Sequence, residues 1–204
     1  SQQDAAEVLQ HVMENMSQDS PIAASTVSIS TETTTTCNTC LLSHVSETKT
    51  FCIKVPIQNS IQAALSKYLA TSESDDFCLC CREITPTSQE RCLTATGTYF
   101  IVQLKRFCNE LGIIGKDCAQ LECFPKKLVV PVGREEESVN SLSYELVAMI
   151  NHQGSLSAGH YWAYVKDESV NKWYNYNDRA ANLLLDFKKR LNNTFSYILF
   201  YRKV

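Results

Sequence analysis

Two groups of residues in this chain have the types and spacing that chemistry needs. Cys37-Asn-Thr-Cys40 and Cys78-Leu-Cys80-Cys81 are two C-x-x-C pairs. Such a pair folds into a tight knuckle that turns two thiolates toward one tetrahedral ion. Four thiolates leave no open coordination position. The expected role is therefore one structural zinc ion that holds the chain together and carries out no reaction. Cys80 is an alternative ligand beside its neighbours. Cys52, Cys92, Cys108, Cys118 and Cys123 read as packing residues, because unpaired cysteine is among the most buried residue types.

The second group is Gly159-His160-Tyr161-Trp162-Ala163-Tyr164-Val165-Lys166, followed after a short polar stretch by Lys172-Trp173-Tyr174-Asn175-Tyr176-Asn177-Asp178. This pattern reads as a β-hairpin. If Lys166 pairs with Lys172, His160 faces Asp178 and Tyr161 faces Asn177. A one-residue slip puts Asn177 across from His160 instead. Both registers bring a polar side chain to the imidazole, since residues opposite each other have Cβ atoms about 4.5–5.5 Å apart. A histidine held by Asn or Asp supplies the base and orienter of a nucleophile–base–orienter triad. The orienter fixes which ring nitrogen carries the proton and leaves the other free to take one from a thiol. Gly159 would let a bound chain approach the backbone closely.

These groups need elements to place them. Residues 3–16 read as an amphipathic helix with Val8, Leu9, Val12, Met13 and Met16 on one stripe. Asp4 with Glu7 three positions later has the form of a capping box. Residues 17–36 are rich in Ser and Thr, yet Val27, Ile29, Thr31 and Thr33 alternate. That favours an extended strand leading into Cys37. Residues 51–55 suit a strand. Residues 58–70 suit a helix, with Ile57, Ile61, Leu65 and Leu69 four apart. Glu73–Asp76 reads as an acidic loop. Residues 99–104, 128–132, 144–150, 161–165, 173–176 and 197–201 are strand candidates, with turns at 112–115 and 133–141. The expected class is α+β with a mostly antiparallel sheet and a two-stranded extension that carries the cysteines.

Composition narrows the options. The 204 residues are 44% hydrophobic and 20% charged, with ten cysteines and a net charge of −3. Residues 1–81 carry nine acidic and three basic side chains, and the rest carry thirteen and sixteen. The net charge argues against general nucleic-acid binding, while the acidic half suits a partner with a basic face. No apolar run reaches the length of a membrane span. The first basic residue is Lys49, so no signal-peptide pattern opens the chain. The chain starts at Ser1 and its first methionine is Met13, so its natural start is expected elsewhere. Reduced thiols, an intracellular setting (cytoplasm or nucleus) and no membrane association are the corresponding expectations.

Taken together, the motifs resemble the ubiquitin-specific proteases, papain-like cysteine deubiquitinases. Gln2-Gln3-Asp4-Ala5 with Glu7 is similar to the family's box at the last thumb helix. The two C-x-x-C pairs resemble its zinc-bearing fingers. The stretch from Tyr99 to Phe107 is similar to the strand entering the palm, and Phe124-Pro125 with the apolar strand after it also fits. Tyr144 to Tyr176 resembles the histidine box, including Asn151-His152-Gln153-Gly154, and Thr194 to Arg202 the closing strand. The resemblance implies an incomplete papain-like fold: residues 1–18 the last thumb helix, 19–98 the fingers, 99–204 the palm. It implies His160 as general base, Asn177 as orienter and Asp178 as support for the polar network. Gln3, Asp4 and Tyr161 would line the channel for the ubiquitin tail, flanked by the loop from Asn151 to Ala158. The implied partner is ubiquitin or a ubiquitinated protein, and no catalytic cofactor is implied.

In that family the nucleophilic cysteine precedes the Gln-Gln-Asp box, so the chain is expected to lack it and to be inactive alone. Asn38-Thr39-Cys40-Leu41-Leu42-Ser43 superficially matches a nucleophile box, but Cys37 makes Cys40 half of a metal knuckle. The alternatives are a catalytically dead ubiquitin-binding pseudoenzyme and a zinc-stabilised interaction domain.

Overall fold

The computed structural model describes residues 4–110, 113–121, 127–133, 139–155, 158–185, 187 and 194–204. Gln3 and the Phe124-Pro125 step lie outside the described residues.

Three helices are bounded among the described residues. Asp4 caps α1 (Ala5–Asp19), its Oδ1 accepting from the Ala6 N–H at 2.9 Å. The expected stripe divides. Leu9 and Met13 turn inward onto Ile101, Tyr197 and Ile198, while Val8, Val12 and Met16 are exposed. Ser20 ends α1 and caps α2 (Pro21–Val27), whose first position is the proline that suits a helix start. This corrects the expectation of an extended segment reaching back to Val27; the extended part begins at Ile29. Ser60 caps α3 (Ile61–Leu69), which buries Ile61, Ala64 and Leu65.

The cysteine-bearing extension is a four-stranded antiparallel sheet, not a two-stranded one. It is built from β1 (Ile29–Cys37), β2 (Ser43–Thr50), β4 (Ser72–Cys78) and β5 (Glu83–Thr96) in the order β2-β1-β5-β4. The segment read as an acidic loop is strand β4, paired from Ser72↔Gln89 to Cys78↔Glu83. A register shift between Ser30 and Thr31 leaves an extra residue on β5, the bulge that bends this long strand toward the main sheet.

The main sheet has eight strands, running β13 (Ala180–Leu183), β12 (Lys172–Asn177), β11 (Gly159–Asp167), β10 (Asn140–Gly154), β14 (Ser196–Lys203), β6 (Tyr99–Leu104) and β3 (Ile53–Val55), with β9 (Lys127–Val132) also on β10. Its ladders are antiparallel except β3 on β6. The core fills one face with Ile29, Leu65, Phe100, Val102, Leu128, Met149, Leu199 and Tyr201. Alternate residues Ile101 and Ile198 face α1 on the other side, as the two-residue period of a strand requires. A small hairpin, β7 (Phe107–Glu110) with β8 (Ile113–Lys116), leaves β6. The expected turn at 112–115 is thus strand from Ile113. Among the described residues no helix is long and apolar enough to cross a membrane.

Candidate functional site

The β11–β12 hairpin carries the histidine group, and its turn decides the geometry. Asp167 Oδ1 accepts from the Ser169 N–H at 3.0 Å and from the Ser169 hydroxyl at 2.6 Å. These bonds hold the Asp167 carboxyl below its ordinary range. They close a four-residue loop in which Asn171 takes a left-handed φ of 50°. Asp167 therefore joins the ladder opposite Lys172, and the pairing runs to Ala163↔Tyr176. The register is one residue away from the Lys166–Lys172 pairing and two from its slipped form. Neither expected pairing is present.

Continued past Ala163, the count puts Asn177 opposite Trp162. His160 then lies two residues on, on the same face, a diagonal that long side chains span. His160 Nε2 and Asn177 Oδ1 are 2.6 Å apart. With a carboxamide oxygen as partner, Nε2 carries the proton and Nδ1 keeps its lone pair. The imidazole stacks on the Trp162 indole at 6.1 Å and 20°. Trp162 in turn meets Phe195 edge-on at 5.5 Å. His160 is exposed, so its free nitrogen is open to solvent or to a reacting group. Asp178 is not across from His160. It lies in the turn between β12 and β13 at φ 51°, because Asn177 pairs with Ala180.

On the other face, Tyr161 pairs with His152. The Tyr161 hydroxyl lies beside Asp4. The Tyr161 hydroxyl is held above its ordinary pKa by burial and by the Asp4 carboxylate, against the lowering effect of the Ala5 N–H. Asp4 Oδ2 also accepts from the Tyr197 hydroxyl at 2.8 Å, and the Tyr197 hydroxyl oxygen accepts from Gln103 Nε2 at 2.8 Å. Burial first, then Asp4, pushes the Tyr197 pKa up as well. A cleft of about 510 Å³ opens between α1 and the β2–β3 connection, with Asp4, Glu7, Lys54 and Gln103 in its wall but not His160, Asn177 or Tyr161.

Sequence reasoning missed Tyr197, Gln103 and the role of His152. Gln103 carried a signal, as a polar residue inside a strongly apolar strand. Gly159 has a different use from the expected one. A Cβ there would meet His152 Nε2 at 2.3 Å and the Gln153 carbonyl at 2.4 Å, so the glycine makes room for the protein's own imidazole.

The four cysteines meet at the end of the four-stranded sheet. The Sγ atoms of Cys37, Cys40, Cys78 and Cys81 lie within 4.8 Å of one another. Cys37–Cys81 and Cys40–Cys78 are 3.9 and 3.6 Å apart. Tetrahedral sulfurs on one zinc ion stand roughly 3.8 Å apart, from a bond of about 2.3 Å. The two knuckles repeat each other. The Leu41 N–H donates to Cys37 O at 2.9 Å and the Arg82 N–H to Cys78 O at 2.7 Å, with left-handed φ values of 60° and 59°. Cys80 is exposed and outside the group. The Thr85 hydroxyl beside Cys37, with backbone N–H groups, draws its thiol down to about 6, while hydrogen bonds from Cys40 and burial push Cys81 up. Four sulfurs this close fit a bound cation, which lets all of them ionise.

Comparison with known proteins gives the family and the fold. The family model described as ubiquitin carboxyl-terminal hydrolase matches residues 1–201. Ubiquitin carboxyl-terminal hydrolase 10 of Arabidopsis thaliana is 30% identical over 149 residues, 71% of this chain and 16% of that protein. Probable ubiquitin carboxyl-terminal hydrolase R319 of Acanthamoeba polyphaga mimivirus is 29% identical over 162 residues, 73% of this chain and 34% of that protein. The chain thus spans about a third or less of these relatives. Among solved structures, the SAGA Ubp8/Sgf11/Sus1/Sgf73 DUB module bound to ubiquitin aldehyde superposes with a TM-score of 0.80 at 21% identity, over 100% of this chain and 50% of that one. The Ubp8-Sgf11-Sgf73-Sus1 SAGA DUB module gives 0.80 at 20% identity, over 100% and 49%. At these identities the likeness is one of fold.

Proposed function

The chain belongs to the ubiquitin carboxyl-terminal hydrolase family, and from that premise we propose that it is the fingers-and-palm part of a cysteine-type deubiquitinase. The proposed division is α1 as the last thumb helix (1–18), residues 19–98 with the cysteine-bearing sheet as fingers, and residues 99–204, which carry every strand of the main sheet except β3, as palm. The reaction is hydrolysis of the isopeptide bond after the C-terminal glycine of ubiquitin.

The observation that carries the reading is the 2.6 Å contact of His160 Nε2 with Asn177 Oδ1, which leaves Nδ1 free. Nδ1 takes the proton of a cysteine thiol, and the thiolate adds to the glycine carbonyl. Asn177 steadies the imidazolium that forms. The imidazolium then protonates the leaving amine, the C–N bond breaks and a thioester remains. Nδ1 next takes a proton from water, the water oxygen displaces the sulfur from the carbonyl, and the imidazolium returns that proton to the departing thiolate to restore the thiol. Asp178 supports this network from the turn. Gln3, Asp4 and Tyr161 line the path of the ubiquitin tail, and the loop from Asn151 to Ala158 flanks it.

On this reading neither Cys40 nor Cys52 is the nucleophile. Cys40 is committed to the four-sulfur cluster. Cys52 is half-buried, and desolvation pushes its thiol up to about 12. The cluster holds one structural zinc ion, which stiffens the fingers; no catalytic cofactor takes part. Ubiquitin, alone or on a protein, is the partner, held by the fingers. A protein that depends on free thiolates fits a reducing intracellular setting, cytoplasm or nucleus.

The test compares the isolated 204-residue chain with the full-length protein on a fluorogenic ubiquitin conjugate. Turnover is expected only from the full-length protein, and is lost in His160→Ala. Turnover by the isolated chain that Cys40→Ser abolishes would overturn the assignment. Binding of ubiquitin with no turnover by the full-length protein would make it a pseudoenzyme.

A further inference from the structure

We infer that His152 is a positioning residue for His160: its imidazole is the platform on which the start of β11 rests. The inference builds on the general-base reading of His160. His160 is the second residue of β11, beyond the last β11–β12 pair, and its own side chain is exposed. Burial of that side chain therefore does not fix it. Asn177 and Trp162 aim the ring, but they do not set the height of the backbone that carries it.

The ladder with β10 carries that backbone, pairing Gly159, His160 and Tyr161 with Gly154, Gln153 and His152, and the two residues flanking His160 also stand on the His152 ring. Gly159 lies so close to its Nε2 edge that a methyl group would sit 2.3 Å away. The Tyr161 ring covers its face at a centroid distance of 4.4 Å. With Gly159 and the Tyr161 ring both set against one imidazole, on a backbone paired with β10, the Cα–Cβ direction of His160 is held.

The platform itself is fixed from every side. The His152 N–H donates to Phe195 O at 2.7 Å. Lys116 Nζ lies 3.1 Å from His152 Nδ1 and donates to His152 O at 2.7 Å. The ammonium group is donor-only, so Nδ1 accepts and Nε2 carries the proton toward Gly159. Phe107 closes the remaining edge at 5.5 Å. His152 is 2% exposed, and its titratable neighbours are Lys116, Tyr161, Tyr197 and Asp4. It touches no reacting atom; it acts through the backbone of its neighbour strand.

The experiment is imidazole ¹⁵N NMR of the full-length protein, with the His160 resonances assigned by His160→Gln. Wild type is expected to show the Nε2-protonated tautomer, with a slowly exchanging proton held by Asn177. His152→Ala is expected to lose that signal to a solvent-like mixture of tautomers. It also lowers kcat on a ubiquitin conjugate by on the order of 10²-fold with KM unchanged, the scale of a misplacement of about 1 Å. His152→Phe keeps an aromatic disc and restores the signal. An unchanged His160 signal in folded His152→Ala, or its loss in folded His152→Phe, overturns the inference. Should His152→Ala not fold, Gly159→Ala takes its place, with the signal expected to be lost; an unchanged signal there overturns the inference equally. A wild type that never shows the Nε2 tautomer overturns instead the general-base reading on which this one stands.

Discussion

Asn177 reaches His160 along a diagonal of the β11–β12 hairpin, carboxamide oxygen to Nε2 at 2.6 Å, from a strand position opposite Trp162. The diagonal matters because a pair directly across would sit side by side with little room between the strands. From two residues away the carboxamide meets the imidazole edge-on. The ring then keeps its stacking on Trp162 and presents Nδ1 outward.

Asn177→Ala in the full-length protein therefore frees the tautomer without removing the base. His160→Ala removes a general base worth roughly 10²–10⁴ in rate. Asn177→Ala is expected to cost less, about 10–10², and the loss should fall on kcat, since the orienter serves the transition state. Steady-state kinetics on a ubiquitin conjugate measures both. Equal activity of Asn177→Ala and wild type would remove Asn177 from the mechanism.

The histidine and its amide partner were legible in the sequence as types on facing strands; their register was not. Register depends on turn length, and the turn depends on the Asp167 carboxylate binding Ser169, a choice between a four- and a five-residue loop that apolar alternation does not report. The palm strands were legible because Phe100, Val102, Leu199 and Tyr201 are buried by a core. Strands β2 and β4 were not, because nearly all their residues are exposed and Ser72–Asp76 has no apolar face to alternate. Backbone pairing holds them, with a few side-chain hydrogen bonds such as Thr87 to Asp76 at 2.9 Å and Thr36 to Ser43 at 2.9 Å, and the cysteine knuckles stand at one end.

That arrangement makes the four-stranded sheet dependent on its cysteine cluster. Metal analysis of the purified protein is expected to find one zinc per chain. Chelation or Cys78→Ser should lower Tm by on the order of 10 °C, at about 2–4 °C per kcal/mol for a chain of this size. Cys80→Ser should leave Tm unchanged, because Cys80 is outside the cluster. A metal-free protein with a Tm indifferent to chelator would refute the site.

Tyr197 joins α1 to the sheet through Asp4 and Gln103. Tyr197→Phe keeps the packing and strands both partners. The expected cost is about 0.5–1.5 kcal/mol, the net worth of an ordinary hydrogen bond, because Asp4 and Gln103 also line the cleft where water can reach them. Urea unfolding measures it. Asp4→Ala removes the α1 cap as well, so it should destabilise at least as much. A Tyr197→Phe variant as stable as wild type would mean that α1 is held by Leu9 and Met13 alone.

His152 also gives the fold an acid limit. Burial, and then the charge of Lys116, hold its pKa below the ordinary histidine value, with Asp4 opposing weakly. Above a pH of about 6.5 the group is neutral in both folded and unfolded chains and contributes no pH dependence. As pH falls below that value the unfolded chain takes the proton first. Stability is then lost until the folded-state pKa is reached and His152 protonates within the fold. There the imidazolium and the Lys116 ammonium, 3.1 Å apart, repel and break the bond that seats the platform. Tm measured between pH 7 and pH 5 should therefore fall more steeply in wild type than in His152→Phe, which has nothing to titrate at that position. Parallel slopes in the two proteins would show that the acid sensitivity arises elsewhere.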